Sequence, residues 1–68
     1  MRGKVKKFDD KKGYGFIKSR EYDKDIFVHF SEIKMDGDKT LSVGDIVDFK
    51  FDSRKDKALD VTIVKKAL

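Results

Sequence analysis

The sequence predicts a small all-β domain, and three observations support this. The apolar residues are mainly β-branched or aromatic, with six Val, five Ile and six Phe against three Leu and two Ala, a bias that favours strands over helices. Five short apolar stretches alternate with turn-forming clusters, which is the spacing of a small barrel or sandwich. A chain of 68 residues can bury one small core, so we expect a single domain over residues 1–68.

The first three strands follow one another closely. The first, Lys4 to Phe8, ends at the turn-forming run of residues 9–13. The second runs from Tyr14 to about Ser19, and a charged loop separates it from the third, Asp25 to His29. Residues 31–33 are interpreted as a single helical turn at the end of the third strand.

The last two strands have the clearest alternation of apolar and polar residues. A polar loop over residues 34–44 leads into the fourth strand, Asp45 to Asp52, where Val47, Phe49 and Phe51 alternate with charged residues. A charged turn over residues 53–57 precedes the fifth strand, Ala58 to about Lys65, which alternates in the same way. Alternate residues of a strand point to opposite faces, so each of these strands offers one face to the core.

The second and third strands are apolar on both faces, and the chain has no helix to cover the second face. The predicted core already fills a small barrel: Val5, Ile17, Ile26, Val28, Ile33, Val47, Phe49, Phe51, Leu59, Val61 and Ile63. Tyr14, Phe16, Phe27 and His29 then project outward. Grouped exposed aromatic residues usually mark a binding surface, although aromatic residues in strands belong to a core more often than to a ligand surface.

The charge is unevenly distributed along the chain. Residues 1–20 carry eight basic and two acidic side chains, residues 21–52 carry four and nine, and residues 53–68 carry five and two. If the two basic ends meet on one face, they form a patch that attracts a polyanion. A lysine-rich solvated surface is the alternative. Lysines interleaved with flat rings favour single-stranded RNA or DNA as the partner, because rings stack on unpaired bases and ammonium groups neutralise phosphates.

Other classes of function have less support. The chain has no Cys and one His, which leaves no thiol nucleophile, no acid–base pair and too few ligands for a metal site, so we expect neither an enzyme nor a cofactor or metal. A protein-interaction module that uses the exposed aromatic face remains the alternative function. No apolar stretch has the length of a signal peptide or a membrane span, so we expect a cytoplasmic monomer with no membrane partner and no small-molecule cofactor.

Two motifs give a resemblance to a known family. The run from Lys12 to Ile17, Lys-Gly-Tyr-Gly-Phe-Ile, resembles the first ribonucleoprotein motif of cold-shock domains, and the run from Ile26 to Phe30 resembles the second. The resemblance covers nearly the whole chain. It implies a five-stranded antiparallel barrel of the oligonucleotide-binding (OB) fold. It also implies binding of single-stranded RNA or DNA with low sequence specificity, in the manner of an RNA chaperone that destabilises weak secondary structure.

The residue pattern and the resemblance together indicate which residues bind, the roles of Phe30 and Asp25 being those that the resemblance implies. The expected stacking residues are Tyr14, Phe16, Phe27, His29 and Phe30. The expected phosphate contacts are Lys4, Lys6 and Lys12, joined by Lys7 and Arg54. Asp25 is expected to hydrogen-bond a base edge, and Phe8 either joins the binding surface or packs at the strand edge.

The chain departs from the family pattern at two positions. Lys7 stands where the family usually has Trp, and Asp38 stands where it usually has an aromatic residue. Strict alternation would put Lys7 on the same side as Val5, so we expect the first strand to bulge or end there. Loss of two stacking residues predicts a weaker and more salt-dependent binder than typical relatives.

Overall fold

Five strands close into a barrel in the computed structural model, which describes residues 1–37 and 39–68. The order around the barrel is β1-β2-β3-β5-β4. The strands are β1 (Arg2–Asp9), β2 (Tyr14–Ser19), β3 (Tyr22–His29), β4 (Ile46–Asp52) and β5 (Lys57–Lys65), with a short 3₁₀ helix at Phe30–Glu32 after β3. The all-β barrel predicted from the sequence is confirmed.

One pair of neighbouring strands is parallel, so the expectation of a wholly antiparallel barrel is wrong at that place. β3 and β5 run in the same direction and meet where Phe27 lies opposite Lys57, while the other four pairs are antiparallel. The reason is topological. Five strands in a closed ring cannot all alternate in direction, because an odd ring must contain at least one parallel pair. The N–H of Phe27 donates to the carbonyl of Asp56 (2.8 Å) at this junction.

β1 contains a bulge and continues beyond it to Asp9, which is the first of the two outcomes that the sequence predicted for this strand. Val5 lies opposite Ile17, but the next paired residue, Lys7, lies opposite Phe16, so Lys6 is the extra residue. A bulge of one residue reverses which side chains point inward beyond it. Val5 therefore points into the barrel, whereas Lys7 lies on the outer surface beside Phe16.

The observed core matches most of the predicted one. Among the residues that the structure describes, ten apolar side chains are buried: Val5, Ile17, Ile26, Val28, Ile33, Leu41, Val47, Phe49, Ala58 and Val61. Phe51 and Ile63 are half-buried and pack against this cluster. Leu41 was not predicted to be in the core because it lies in the segment 34–44, whose composition predicts a polar loop.

The assignment of Leu59 to the core is wrong. Ala58 takes the buried position instead, and Leu59 is only half-buried. The cause is a second bulge, because β5 passes from Leu59 opposite Lys50 to Thr62 opposite Asp48. Asp60 in this bulge has φ of +50°, a left-handed conformation that Asp tolerates better than most residues.

The loop before β4 is fastened to β1 and to the C-terminal residues. The buried carboxylate of Asp45 accepts hydrogen bonds from the N–H groups of Ser42 (3.0 Å) and Ala67 (2.7 Å). The N–H of Gly44 donates to the carbonyl of Val5, and the N–H of Val5 donates to the carbonyl of Asp45, both at 2.9 Å. The bonds to Val5 hold the loop along the edge of β1 that pairs with β4.

Within the two described stretches, no helix has both the length and the apolar character needed to cross a membrane.

Candidate nucleic-acid interface

A cluster of aromatic rings lies on the outer face of β2 and β3. Tyr14 lies directly opposite His29, and Phe16 lies opposite Phe27. Directly opposite residues of an antiparallel pair share a face, and the strands' other face supplies Ile17, Ile26 and Val28 to the core. We call the outer cluster the aromatic platform. It consists of Tyr14, Phe16, Phe27, His29 and Phe30.

Three rings of the platform support one another. Tyr14 stacks on Phe27 with ring centres 5.6 Å apart, and Phe16 meets Phe27 edge to face at 5.9 Å. Tyr14 and Phe16 also meet edge to face, at 6.5 Å. Such pairs are worth about 0.5 to 1.5 kcal/mol each beyond their buried area. Mutual contact thus fixes these half-buried rings in place before any ligand arrives.

His29 and Phe30 form the other end of the platform, with ring centres 4.6 Å apart. Phe30 is 44% exposed, and its ring lies over Gly13. A β-carbon at residue 13 would be 2.6 Å from Cδ1 of Phe30, and Gly13 has φ of +77°. Glycine is therefore required at residue 13 both for the left-handed turn and for the ring above it.

Ser31 orients the imidazole of His29. The backbone N–H of Ser31 donates to Nδ1 of His29 at 3.2 Å, and the Ser31 hydroxyl lies 2.8 Å from the same atom. Because a backbone N–H can only donate, Nδ1 is an acceptor, and the proton of the neutral ring is on Nε2. This role of Ser31 was not predicted from the sequence, although Ser31 stands at the start of the predicted helical turn.

A hollow of about 460 Å³ lies beside Phe30. Its lining residues are Asp10, Lys11, Lys12, Gly13, Phe30, Lys39 and Thr40. Lys12 is thus placed next to the platform, as a phosphate contact would have to be. Lys39 was not among the predicted binding residues. Asp38, the second departure from the family pattern, lies outside the described residues.

Lys7 lies over the face of Phe16. Its ammonium nitrogen is 5.2 Å from the centre of the ring, within the range of a cation–π contact. The bulge at Lys6 brings Lys7 to this surface. The structure therefore places Lys7 in contact with the platform.

Asp25 contacts two lysines at the end of the platform away from His29 and Phe30. Its carboxylate accepts a hydrogen bond from Lys6 at 3.0 Å and lies 3.8 Å from the ammonium of Lys18. The hydrogen bond from Lys6 lowers the pKa of Asp25, and the positive charges of Lys6, Lys18 and Lys7 act in the same direction against a smaller opposing effect of desolvation. Lys6 must leave Asp25, or share it, in order to contact a phosphate.

Phe8 lies on the core side of β1. It is half-buried, packs against the core cluster and lies opposite Gly15. A β-carbon at Gly15 would be 2.7 Å from Cα and 2.8 Å from Cδ1 of Phe8. Phe8 also lines a surface hollow with Lys12 and Tyr14, so its part in binding stays a prediction. The missing side chain of Gly15 admits the neighbouring strand.

Two predicted phosphate contacts lie away from the rings. Lys4 is opposite Lys18, beyond Lys6 on β1. Arg54 is exposed in the turn between β4 and β5, where its backbone N–H donates to Asp52 at 3.0 Å. That turn reaches β3 through the bond between Asp56 and Phe27, so Arg54 is near the platform's margin rather than within it.

Comparison with known proteins gives consistent matches over this region. The family model described as 'Cold-shock' DNA-binding domain matches residues 1–64. A cold shock-like protein of Thermotoga maritima is 54% identical over 55 residues, which cover 81% of this chain and 82% of the relative. A cold shock-like protein of Aquifex aeolicus is 43% identical over 66 residues, covering 94% of each chain. Cold shock-like protein CspE of Escherichia coli is 48% identical over 50 residues, covering 74% of this chain and 72% of the relative.

Proposed function

Because the chain belongs to the cold-shock domain family, a family of nucleic-acid-binding proteins that are not enzymes, we propose that it binds single-stranded RNA and DNA with little sequence preference. The observation that carries the proposal is the aromatic platform. Its rings are grouped on the outer face of β2 and β3 and are fixed by mutual contact. Stacking on such rings tolerates any base, because every base has a π face.

Basic residues around the platform supply the second part of the mechanism. Lys7 lies over Phe16, Lys12 lines the hollow beside Phe30, and Lys6 reaches Asp25 at the far end. Lys4 and Arg54 extend the positive charge beyond the rings. These groups contact phosphates and sugars, which carry no base identity, so low sequence specificity follows from the chemistry of the site.

An RNA chaperone activity is the finer part of the proposal. Rings that stack on a base face can reach that face only in an unpaired strand. A protein that binds the open form and not the closed form shifts the equilibrium toward opening by mass action. Weak hairpins therefore open at protein concentrations above the dissociation constant, without any covalent step.

The binding proposal is tested by titrating the labelled protein with oligo-dT and oligo-rU at low salt while following amide chemical shifts. We expect the largest changes at Tyr14, Phe16, Phe27 and His29. Phe16→Ala and Phe27→Ala should each weaken binding by about 1 to 3 kcal/mol, the value of one base–aromatic stack. Thr62→Ala is the control. Thr62 is exposed on β5, so this substitution should leave the affinity unchanged.

The contrary result is an absence of shifts at low salt. It would reject nucleic-acid binding and favour the alternative function, a protein-interaction module that uses the same aromatic face. Tyr14 and Tyr22 provide an intrinsic fluorescence signal for the same titration, since the chain has no Trp.

The chaperone proposal is tested with a short RNA hairpin that carries a fluorophore and a quencher at its ends. We expect fluorescence to rise with protein concentration for a weak hairpin and to rise less for a hairpin with a longer stem. The Phe27→Ala variant should open the weak hairpin only at higher concentration. Equal opening by the variant and the wild type would reject the platform as the cause.

The protein is proposed to act as a monomer in the cytoplasm and as one domain over residues 1–68. Both the monomeric state and the location remain predictions from the sequence. Size-exclusion chromatography with light scattering, with and without oligo-dT, checks the first of them.

A further inference from the structure

A second hollow lies next to the aromatic platform, on the side away from His29. It is open to solvent, with a volume of about 390 Å³ and an almost wholly apolar surface. We call it the valine hollow. Its lining residues are Lys4, Val5, Lys6, Lys18, Val43 and Gly44.

The valine hollow has a fixed shape. One wall is β1, and the other is the loop before β4, which the paired bonds between Gly44, Val5 and Asp45 hold at 2.9 Å. The buried Asp45 carboxylate fixes the same loop from inside. Val43 is nevertheless 65% exposed. The apolar side chain of Val43, on a loop held by these hydrogen bonds, thus faces solvent beside three lysines.

The hollow is continuous with the platform. Lys18 follows Phe16 by two residues on β2, and Asp25 precedes Phe27 by two residues on β3, so both lie on the platform's face. Asp25 contacts Lys6 and Lys18, and both lysines line the hollow. Lys4 makes no ion pair with any residue in the described part of the chain. The mouth of the hollow thus has three ammonium groups and one carboxylate, which contacts two of them, so its net charge is positive.

We propose that the valine hollow binds the continuation of the same single strand, one or two nucleotides beyond the aromatic platform. Lys4 and Lys18 contact a phosphate, and the sugar and base edge pack against Val43. The inference rests on the proposed nucleic-acid binding and deepens it. A polyanion is the occupant that matches both the positive mouth and the direct connection to the platform, and the apolar wall suits a sugar or base without selecting its identity.

The first experiment measures affinity against length with an oligo-dT series of about four to about twelve nucleotides, since one OB barrel covers about 4 to 16 nucleotides. We expect affinity to increase with oligomer length until the platform is filled, and then to increase further when the oligomer is long enough to reach the valine hollow. The slope of log K against log salt should become steeper by about 0.7 for each added phosphate contact. Amide shifts at Val43 and Gly44 should appear with the long oligomers only.

The second experiment compares Val43→Glu with Val64→Glu. Both substitutions replace an exposed Val by Glu, but Val64 is on β5 and lines none of the hollow. Val43→Glu should weaken binding of the long oligomers by at least the roughly fivefold that one phosphate contact contributes at about 0.1 M salt, and should change binding of the shortest oligomer much less. Val64→Glu should change the affinity for the long oligomers and for the shortest oligomer by the same small factor.

A second pair of variants protects the test against misfolding of Val43→Glu. Lys18→Gln removes one ammonium group from the hollow, and Lys50→Gln removes one that is paired with Asp60 on the opposite side of the barrel. We expect Lys18→Gln to lower the affinity for long oligomers roughly fivefold. Lys50→Gln should change the affinity for long and short oligomers by the same factor. Thermal unfolding of each variant checks that the barrel is retained.

The outcomes separate the two proposals. If short oligomers bind and neither Val43→Glu nor Lys18→Gln affects long oligomers more than short ones, the valine hollow is not part of the path, while the proposed function stands. If long-oligomer binding is unaffected but an acidic peptide of matched length shifts Val43 and Gly44, the occupant is a protein and the inference is overturned. If no oligomer binds the wild type, both proposals are overturned.

Discussion

The ammonium of Lys7 lies 5.2 Å from the centre of the Phe16 ring, over a face that could otherwise stack on a base. A cation–π contact at an exposed site is worth about 0.5 to 1 kcal/mol, whereas a base–aromatic stack is worth about 1 to 3 kcal/mol. A nucleobase can therefore displace Lys7, and the released ammonium is then positioned for a phosphate. Under the proposed function, Lys7 is thus expected to leave the Phe16 ring when a base binds and to contact a phosphate instead.

Replacing Lys7 by Trp should increase affinity for oligo-dT. The new ring adds a stack of about 1 to 3 kcal/mol, equivalent to about fivefold to more than a hundredfold. The loss of one phosphate contact should at the same time lower the salt slope by about 0.7. Fluorescence titration at several salt concentrations measures both. Lys7→Gln is the matched control, which should lower the salt slope without increasing the affinity for oligo-dT. Equal affinities of the Lys7→Trp and Lys7→Gln variants for oligo-dT would contradict the role given to the ring.

Binding by the wild-type protein should be strongly salt-dependent. With about four phosphate contacts and a slope near −0.7 for each, affinity should fall about fifty-fold between about 50 and about 200 mM salt. Lys12→Gln should lower the slope by about 0.7, and Lys50→Gln, on the far side of the barrel, should not change it. A nearly flat salt titration of the wild type would reject the phosphate contacts.

Gly15→Ala should destabilise the barrel and distort the platform margin. The added β-carbon would overlap the carbonyl oxygen of Lys7 and lie 2.8 Å from Cδ1 of Phe8, and crowding of this kind typically costs about 1 to 3 kcal/mol. Urea unfolding measures the change in the free energy of unfolding. Gly37→Ala is the comparison, because a β-carbon there meets nothing within 4 Å and only the left-handed backbone is penalised, by about 1 to 2 kcal/mol. Equal stability of Gly15→Ala and wild type would show that β1 can move away.

Stability should fall in acid. The hydrogen bond from Arg2 lowers the pKa of Asp48, and the bonds from Lys34 and Lys50 lower the pKa of Asp60, as the bond from Lys6 does for Asp25. A lowered folded-state pKa stabilises the fold above the ordinary carboxyl pKa of about 4, and this contribution is lost as the pH falls through the folded-state pKa values. Thermal unfolding between about pH 7 and about pH 2 should follow that direction.

Asp48→Asn tests the acid prediction directly. It removes the negative charge and one of the two acceptor oxygens that Arg2 contacts at 2.7 and 3.0 Å, so the variant should be less stable than wild type at neutral pH and should lose less stability in acid. Asp10→Asn, at an exposed position without an ion pair among the described residues, should leave the pH profile unchanged. Identical acid profiles for wild type and Asp48→Asn would reject the contribution of this pair.

Local periodicity in the sequence was sufficient to predict the strands and the outer rings. Tyr14, Phe16, Phe27 and His29 alternate with core residues on strands of period two, so their common face follows from the chain itself. The bulge at Lys6 could also be predicted, because alternation would otherwise have buried Lys7. Leu59 was assigned wrongly because the bulge at Asp60 depends on pairing with β4, and nothing near Leu59 in the sequence indicates it.

The sequence by itself determined the number and approximate positions of the strands, which rings face outward and which family pattern the chain follows, because each of these depends on neighbours within a few positions. The third strand, predicted from Asp25, begins at Tyr22 in the structure. Only the tertiary structure decided that β3 meets β5 in parallel, that Phe30 lies over Gly13, that Lys7 covers Phe16 and that Val43 stands beside Lys4 and Lys18. Those relationships arise from closure of the barrel, which brings together residues far apart in the chain and fixes their distances through backbone pairing that no local pattern encodes.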